Sequence, residues 1–155
     1  MGNEIYEGIE INAMTTNAKL RWTSIVVAII GIIDAAYLSY VKIAHQEVYC
    51  GGSGACDTVN NSPYAEISGI PIAYLGLGAY IIILALLLLE SRAEVWANYS
   101  PMIIFGMTLA GTLYSIYLTY VELAVLRAVC PYCVVSAIAI SVLFILSLVR
   151  LFKSE

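Results

Sequence analysis

Two cysteines stand three residues apart in the segment Cys130-Pro131-Tyr132-Cys133, where a polar turn gives way to a long apolar run. On a helix, residues at this spacing share one face, so the two thiols can close a small disulfide ring. Unpaired N–H groups and the helix dipole at a helix N-terminus favour thiolate over thiol. The motif therefore predicts redox chemistry, while a static disulfide and half of a metal site remain alternatives with the same spacing.

The composition indicates a membrane protein. Of the 155 residues, 61% are hydrophobic and only 12% are charged, which is too apolar for a soluble domain of this size. The formal net charge is −4 and the seven basic residues form no cluster, so nucleic acid is not an expected partner. The other two cysteines, Cys50 and Cys56, complete an even set of four that allows three pairings into two disulfides.

Four apolar runs are long enough to cross a hydrocarbon core about 30 Å thick, and in lipid such segments must be helical. They predict an all-α membrane protein, a four-transmembrane-helix bundle with an extracytoplasmic loop over about 44–70, between helices 1 and 2. Residues 1–20 are expected to form a solvated N-terminal tail, and 153–155 a C-terminal tail. The catalytic domain is expected at 21–152, with spans at about 22–43, 71–89, 102–126 and 131–151.

Basic residues near the span ends predict the orientation. Only Lys42 and Arg127 fall at the end that carries the cysteines, and the other five fall at the opposite end: Lys19, Arg21, Arg92, Arg150 and Lys153. The positive-inside rule therefore places both termini in the cytoplasm. All four cysteines are then expected on the extracytoplasmic face, the compartment in which disulfides persist.

The two halves of the chain echo each other at an offset of eighty residues. The segment 37–41 (YLSYV) matches 117–121 (YLTYV), and at the same offset Gly31 matches Gly111 and Cys50 matches Cys130. This pattern predicts two related helical hairpins, each with a cysteine after its first helix.

Two dithiol pairs on one face suggest an electron relay through mixed disulfides. An electron acceptor confined to the membrane is expected to be a quinone, and Val134 and Ala137 are small enough to leave room for it beside the thiols. Of the two acids near or within the apolar runs, Asp34 is expected to hydrogen-bond to a Tyr or Ser hydroxyl on another helix, and Glu122 is expected to be solvated.

Several segments together resemble the vitamin K epoxide reductase (VKOR) family in its prokaryotic branch, from the first span to the fourth. The segments that carry the resemblance are Cys50 and Cys56-Asp57, then Ser62-Pro63-Tyr64-Ala65, Gly69-Ile70-Pro71, Leu75-Gly76 and Cys130-Pro131-Tyr132-Cys133.

The resemblance implies a four-helix bundle around a quinone such as menaquinone or ubiquinone, with Cys133 engaging it. It also implies that Cys130 exchanges with Cys56, and that Cys50 takes electrons from a thioredoxin-like partner on the extracytoplasmic side. Ser62 matches a loop Ser/Thr position of the family. Ser62 is expected near the quinone on this ground, and three residues of the C-x-x-C region are expected to contact it on the ground of their position beside the thiols: Tyr132, Val134 and Ala137.

The chain departs from the family pattern at two places. Many bacterial members carry a fused thioredoxin-like domain, whereas this sequence ends at Glu155, so the partner is expected to be a separate protein. Val135-Ser136-Ala137 stands where vertebrate members have Thr-Tyr-Ala, so we expect disulfide formation in exported proteins rather than vitamin K recycling. The alternatives are a structural tetraspan protein clipped by disulfides, a membrane metal-binding protein with four thiolates, and a quinone-reducing oxidase of the DsbB type.

Overall fold

The computed structural model describes residues 2–154 and consists mainly of long helices. Helix α1 spans Gly2–Ile43, α3 spans Ile72–Leu89, α4 spans Glu94–Tyr120 and α5 spans Pro131–Ser154. Within the described residues, these four helices are long and apolar enough to cross a membrane. The predicted four spans and the all-α class are therefore confirmed.

Two of the long helices begin earlier than the predicted spans. Helix α1 continues unbroken through most of the predicted tail, where the side chains are mostly exposed. Helix α4 begins at Glu94 rather than near residue 102, and it contains Pro101 in its interior. In both cases the hydropathy pattern marks only the apolar part of a helix, because the polar extension carries no signal of membrane burial.

The connection between α1 and α3 is a compact loop of short elements. Helix α2 spans Ala55–Asn60, a 3₁₀ turn spans Pro63–Ala65, and strands β1 (Glu66–Ile67) and β2 (Ile70–Pro71) pair antiparallel. The strands meet at a two-residue turn, Ser68 and Gly69, in which both φ angles are positive (53° and 83°). This turn type matches the twist of a hairpin and favours glycine at such positions.

The side chain of Lys42, at the end of α1, ties this loop to the bundle. Its Nζ atom donates hydrogen bonds to the Asn60 carbonyl at 2.9 Å and to Asn61 Oδ1 at 3.3 Å. It also pairs with the Glu66 carboxylate at 3.4 Å. The loop is therefore fixed to the helix that precedes it.

The long helices pack as a closed ring in which α1 contacts α3 and α5, and α4 also contacts both α3 and α5. Most buried apolar side chains of this ring form one cluster, here called the helix core, which includes Ala28, Tyr80, Ile83 and Leu143. Gly31 allows α1 to approach α3, since a Cβ there would lie less than 3 Å from ring atoms of Tyr80. At the end of the bundle away from the loop, Arg150 pairs with Glu90.

Candidate functional site

The four cysteines gather at the loop end of the bundle. Cys50 and Cys56 form a disulfide, with Cα atoms 5.9 Å apart. Cys130 and Cys133 carry free thiols. The sulfur atoms of Cys50, Cys56 and Cys130 all lie within 4.8 Å of one another. These four residues, here called the thiol cluster, therefore place a free thiol beside a disulfide.

The loop half of the cluster is held by hydrogen bonds to its backbone. The Val48 amide donates to Asp57 Oδ1 at 2.8 Å, which joins the segment before Cys50 to the helix that carries Cys56. Glycines 51, 52 and 54, between the two cysteines, all have positive φ angles of 65° to 84°. Glycine adopts positive φ angles readily, whereas other residues are strained there, so the backbone conformation of this turn requires glycine at these positions.

Two tyrosine rings hold the loop against the start of α5. The rings of Tyr37 and Tyr132 lie 4.9 Å apart between centroids. The Tyr49 amide donates to the Tyr37 hydroxyl oxygen at 3.4 Å, and the Tyr132 hydroxyl donates to the Tyr49 carbonyl at 3.2 Å. These contacts of Tyr37 and Tyr132 with the Tyr49 backbone are here called the tyrosine clamp. Because Tyr49 precedes Cys50 directly, the clamp fixes the position of the loop disulfide relative to Cys130.

The helix half of the cluster follows an irregular end of α4. After Tyr120 the backbone continues as a π-helix over Val121–Leu126, and Arg127 then reverses it with a φ angle of 51°. Cys130 stands just before α5, and its carbonyl accepts a hydrogen bond from the Val134 amide at 3.1 Å. Its side chain is fully buried, as is that of Cys56.

The environment of Cys130 favours its thiolate. A hydrogen bond from Cys133 lowers the pKa of the Cys130 thiol below its ordinary value, although burial opposes this effect. The backbone N–H groups of Tyr132 and Cys133 act in the same direction as that hydrogen bond. These N–H groups belong to the first turn of α5, so the predicted stabilisation of the thiolate by a helix N-terminus has a structural basis at Cys130.

Glu122 lies inside the site, and the expectation that it is solvated is wrong. The residue is only 5% exposed, and its Oε2 atom accepts a hydrogen bond from the Cys130 amide at 3.4 Å. Its carboxylate also hydrogen-bonds to the Cys133 side chain. The sequence does not reveal the burial of Glu122, because a regular helix was expected here and a π-helix points its side chains in different directions.

A cavity of about 410 Å³ opens beside the cluster, between the loop and helices α1, α3, α4 and α5. Its lining is mostly apolar, and Cys133 and Glu122 are on its wall. Its volume lies within the range of about 300–1,000 Å³ that is usual for small-molecule sites. The cavity can therefore hold a ring-sized ligand next to the second thiol of the C-x-x-C pair.

The four predicted quinone contacts fall in two groups. Ser62 and Ala137 are on the cavity wall. Among the described residues that line the cavity, Tyr132 and Val134 are absent, because Tyr132 packs on Tyr37 and Val134 is 39% exposed.

Asp34 also lines the cavity, where it is 8% exposed. Its Oδ2 atom has no hydrogen-bond partner among the described residues, so this oxygen does not make the expected bond to a Tyr or Ser hydroxyl. The neighbouring Tyr80 hydroxyl donates instead to the Ser136 carbonyl at 2.9 Å. In its protonated form, this unpaired buried carboxyl group can donate a hydrogen bond to a carbonyl oxygen of a ligand in the cavity, such as a quinone carries.

The arrangement supports thiol–disulfide exchange better than metal binding. Three sulfur atoms close together could ligate a soft metal ion. The ligand form of cysteine is the thiolate, however, and two of these three sulfurs are joined to each other in a disulfide. In the form described, the cluster therefore contains one disulfide and one neighbouring dithiol.

Comparison with known proteins finds related chains. The thiol-disulfide oxidoreductase LTO1 of Arabidopsis thaliana is 34% identical to this chain over 127 residues, which cover 75% of this chain and 32% of the relative. The chain thus spans about a third of the length of that relative. Residues 22–148, which include at least part of each long helix and all four cysteines, match the vitamin K epoxide reductase family. The protein therefore belongs to the vitamin K epoxide reductase family, and its fold is that of a membrane helical bundle.

Proposed function

We propose that this protein is a membrane thiol–disulfide oxidoreductase that passes electrons from a thioredoxin-like protein to a quinone. Electrons enter at Cys50 and Cys56 and leave from Cys130 and Cys133. The proposal is carried by one observation, the distance of at most 4.8 Å that separates the Cys130 sulfur from both sulfurs of the loop disulfide. The family and the thiol-disulfide oxidoreductase LTO1 support the same class of chemistry.

The exposure of the loop cysteines suggests their order in the relay. Cys56 is fully buried with Cys130, whereas Cys50 is partly exposed. Cys50 is therefore the residue that a partner dithiol attacks. The partner becomes oxidised as the Cys50–Cys56 bond breaks, and two loop thiols are left.

Exchange within the cluster then returns the loop to its disulfide form. A loop thiolate, that of Cys56, attacks Cys130 in the Cys130–Cys133 disulfide, and Cys133 leaves as a thiolate. Cys50 then attacks Cys56 in the mixed disulfide, which restores the loop disulfide and releases Cys130. Each attack forms one S–S bond and breaks another, so the electron pair moves from the loop to the C-x-x-C pair.

The residues around the cavity fit a quinone. Cys133 would face it, and Ser62, Ala137 and the unpaired Asp34 Oδ2 atom lie on the surrounding wall. A bound quinone supplies an acceptor for two electrons and two protons, which the reduced Cys130–Cys133 pair provides. The apolar wall excludes water from the thiols and matches the ring of a lipid-soluble ligand.

The charge distribution supports an extracytoplasmic site, with both termini in the cytoplasm. Arg150 and Glu90 form their ion pair at the end of the bundle opposite the cysteines, where most basic residues lie. By the positive-inside rule this end faces the cytoplasm. The role that follows is to support disulfide formation in exported proteins through a partner on the far side of the membrane.

The test is anaerobic reduction of a soluble quinone analogue by the purified protein with dithiothreitol as the electron source. We expect turnover by the parent protein, and none when Cys130 or Cys133 is replaced by Ala. The Cys133→Ala variant should still trap a mixed disulfide between Cys130 and a loop cysteine, visible by mass spectrometry. Normal turnover by that variant would show that Cys133 does not deliver the electrons.

The same assay separates this function from a structural role. A tetraspan protein that is only clipped by its disulfide would keep that disulfide oxidised when the quinone and the dithiol are added. Alkylation of each cysteine, followed over time, would then show no exchange between the loop and the C-x-x-C pair.

A further inference from the structure

Glu122 is a buried acid to which the proposed electron relay assigns no role. It stands at the start of the π-helix, eight residues before Cys130 in the chain, yet its carboxylate reaches both cysteines of the C-x-x-C pair. A carboxylate buried without a basic partner is costly, and it persists only where the surrounding structure holds it in place. Here the Cys130 amide and the Cys133 side chain hold it against the reacting sulfurs.

We propose that Glu122 carries the proton of Cys133, as a general acid when the Cys130–Cys133 disulfide opens and as a general base when the Cys133 thiol reacts. This inference rests on the proposed relay and assigns a further catalytic residue to it. The carboxyl group touches a reacting atom, and it is on the wall of the cavity that would receive the electrons.

The step balances within the protein. When a loop thiolate attacks Cys130, the loop–Cys130 bond forms, the Cys130–Cys133 bond breaks, and Cys133 takes the electron pair. Protonated Glu122 then gives its proton to the Cys133 sulfur and becomes a carboxylate. In the reverse direction the Cys133 S–H bond breaks, the proton returns to Glu122, and the thiolate attacks Cys130 to close the disulfide.

The surroundings of Glu122 make it the group placed to do this. Its carboxyl group hydrogen-bonds to Cys130 and Cys133, and no other titratable residue of the described chain has a hydrogen bond to it. The other titratable side chains on the same cavity wall come from four elements: Asp34 on α1, Tyr64 in the 3₁₀ turn, Tyr80 on α3 and Tyr114 on α4. The hydroxyls of Tyr80 and Tyr114 donate instead to carbonyl groups, those of Ser136 and Tyr64.

The test follows exchange between the loop and the C-x-x-C pair without any quinone, by rapid mixing of the oxidised protein with reduced thioredoxin, a protein dithiol that enters through the loop, and by alkylation of each cysteine. In the parent protein we expect a bell-shaped dependence of the exchange rate on pH, because the loop thiolate and the protonated carboxyl are both required. Glu122→Gln keeps the size and the acceptor for the Cys130 amide but carries no proton to transfer. We expect it to exchange about 100-fold more slowly or worse and to lose the alkaline limb.

Two further variants sharpen this result. Glu122→Asp keeps a carboxyl group and should recover part of the rate together with the alkaline limb. Glu47→Gln removes an exposed acid from the loop and is the matched control, with the rate and pH profile of the parent protein. A Glu122→Gln variant with the parent rate and profile would overturn the inference.

Infrared difference spectra of the parent protein test the same idea without a variant. Conversion of the C-x-x-C pair between dithiol and disulfide should change a carboxylic-acid C=O band, because the proton moves between sulfur and carboxyl. A parent protein that exchanges its disulfides with no such band would disprove the role of Glu122 and leave the relay intact. A parent protein that shows no exchange at all would disprove the relay itself.

Discussion

The two hairpins of this protein share their packing positions and differ in their chemistry. Helices α1 and α3 form one hairpin and α4 and α5 the other, and matched positions lie eighty residues apart. Gly31 and Gly111 both stand where a Cβ would meet a neighbouring helix, Tyr80 in one case and Ile140 in the other. At the loop end Cys50 still corresponds to Cys130, but the charged residues differ, since Lys42 corresponds to Glu122.

That difference explains what each hairpin does. The Lys42 ammonium binds the carbonyl and side-chain oxygens of the loop and so fixes the segment that carries Cys56. The Glu122 carboxylate binds the Cys130 amide and the Cys133 side chain. The first hairpin therefore holds the loop that carries Cys56 in place, and the second places an acid at the C-x-x-C thiols.

The largest effect is expected at the matched cysteines. Cys50→Ala should abolish electron transfer from a protein dithiol but spare transfer driven by dithiothreitol, because the small thiol can reach the inner pair directly. Cys130→Ala should reduce both to background, since Cys130 joins the two pairs. Quinone-analogue reduction with each donor measures this difference. Equal use of both donors by Cys50→Ala would show that the loop is not the entry point.

The next largest effect is expected on stability, when each of the matched glycines is replaced by Ala. Gly31→Ala forces a Cβ against the Tyr80 ring, which is 3% exposed and tied to α5 by its hydroxyl, so we expect a loss of about 1–3 kcal/mol. Gly111→Ala meets only the Ile140 side chain, with Cγ1 at 2.8 Å and Cδ1 at 3.2 Å, and this aliphatic side chain can shift, so the substitution should cost less.

Thermal unfolding in detergent measures both variants against a control. Gly78→Ala is that control, because a Cβ there has no neighbour within 4 Å outside the adjoining backbone. It should stabilise α3 by about 0.5–1 kcal/mol through helix propensity. An equal loss in all three variants would mean that close packing at Gly31 is not special.

A smaller effect is expected when the link between α1 and the loop is cut. Lys42→Gln removes the charge that pairs with Glu66 and shortens the side chain that reaches Asn60. We expect the loop to lose about 1 kcal/mol of local stability, seen as faster hydrogen exchange over residues 55–62. Lys19→Gln, on the exposed part of α1, should leave that exchange unchanged.

The smallest effect is expected at the matched tyrosines. Tyr37→Phe keeps the ring contact with Tyr132 but removes the acceptor of the Tyr49 amide, so we expect a local loss of about 0.5 kcal/mol. Tyr117→Phe alters a ring that is 47% exposed and should have no measurable effect on the loop. Hydrogen exchange at residues 48–50 compares the two, and equal protection in both variants would contradict the clamp.

Much of the bundle was predictable from the sequence because hydropathy and helix periodicity are local signals. The apolar runs alone predict the four spans. The offset of eighty residues between Gly31 and Gly111 also predicts that they occupy equivalent positions in the two hairpins. The helical extension of α1 and the early start of α4 were missed, because polar helix outside a membrane has no hydropathy signal.

The site was predictable only where its residues belong to a motif. The spacing of the cysteines identifies them as candidates for redox chemistry. The distance of at most 4.8 Å between the sulfur atoms of Cys50, Cys56 and Cys130, however, depends on how the loop folds over α5. Glu122 was misplaced because its environment is set by the π-helix and by the reversed backbone at Arg127, which are tertiary features. The motif also gives no sign of the ring contact between Tyr132 and Tyr37, which the structure shows at the edge of the site.

The π-helix has a consequence for how this site can be altered. Its hydrogen bonds close over five residues instead of four, so the stretch from 121 to 126 accommodates more chain per turn than an ordinary helix. Deleting a single residue between Glu122 and Cys130 would let the regular spiral resume and would rotate the acid away from the sulfurs. The site can thus be dismantled by a change of backbone length that leaves each of its side chains present.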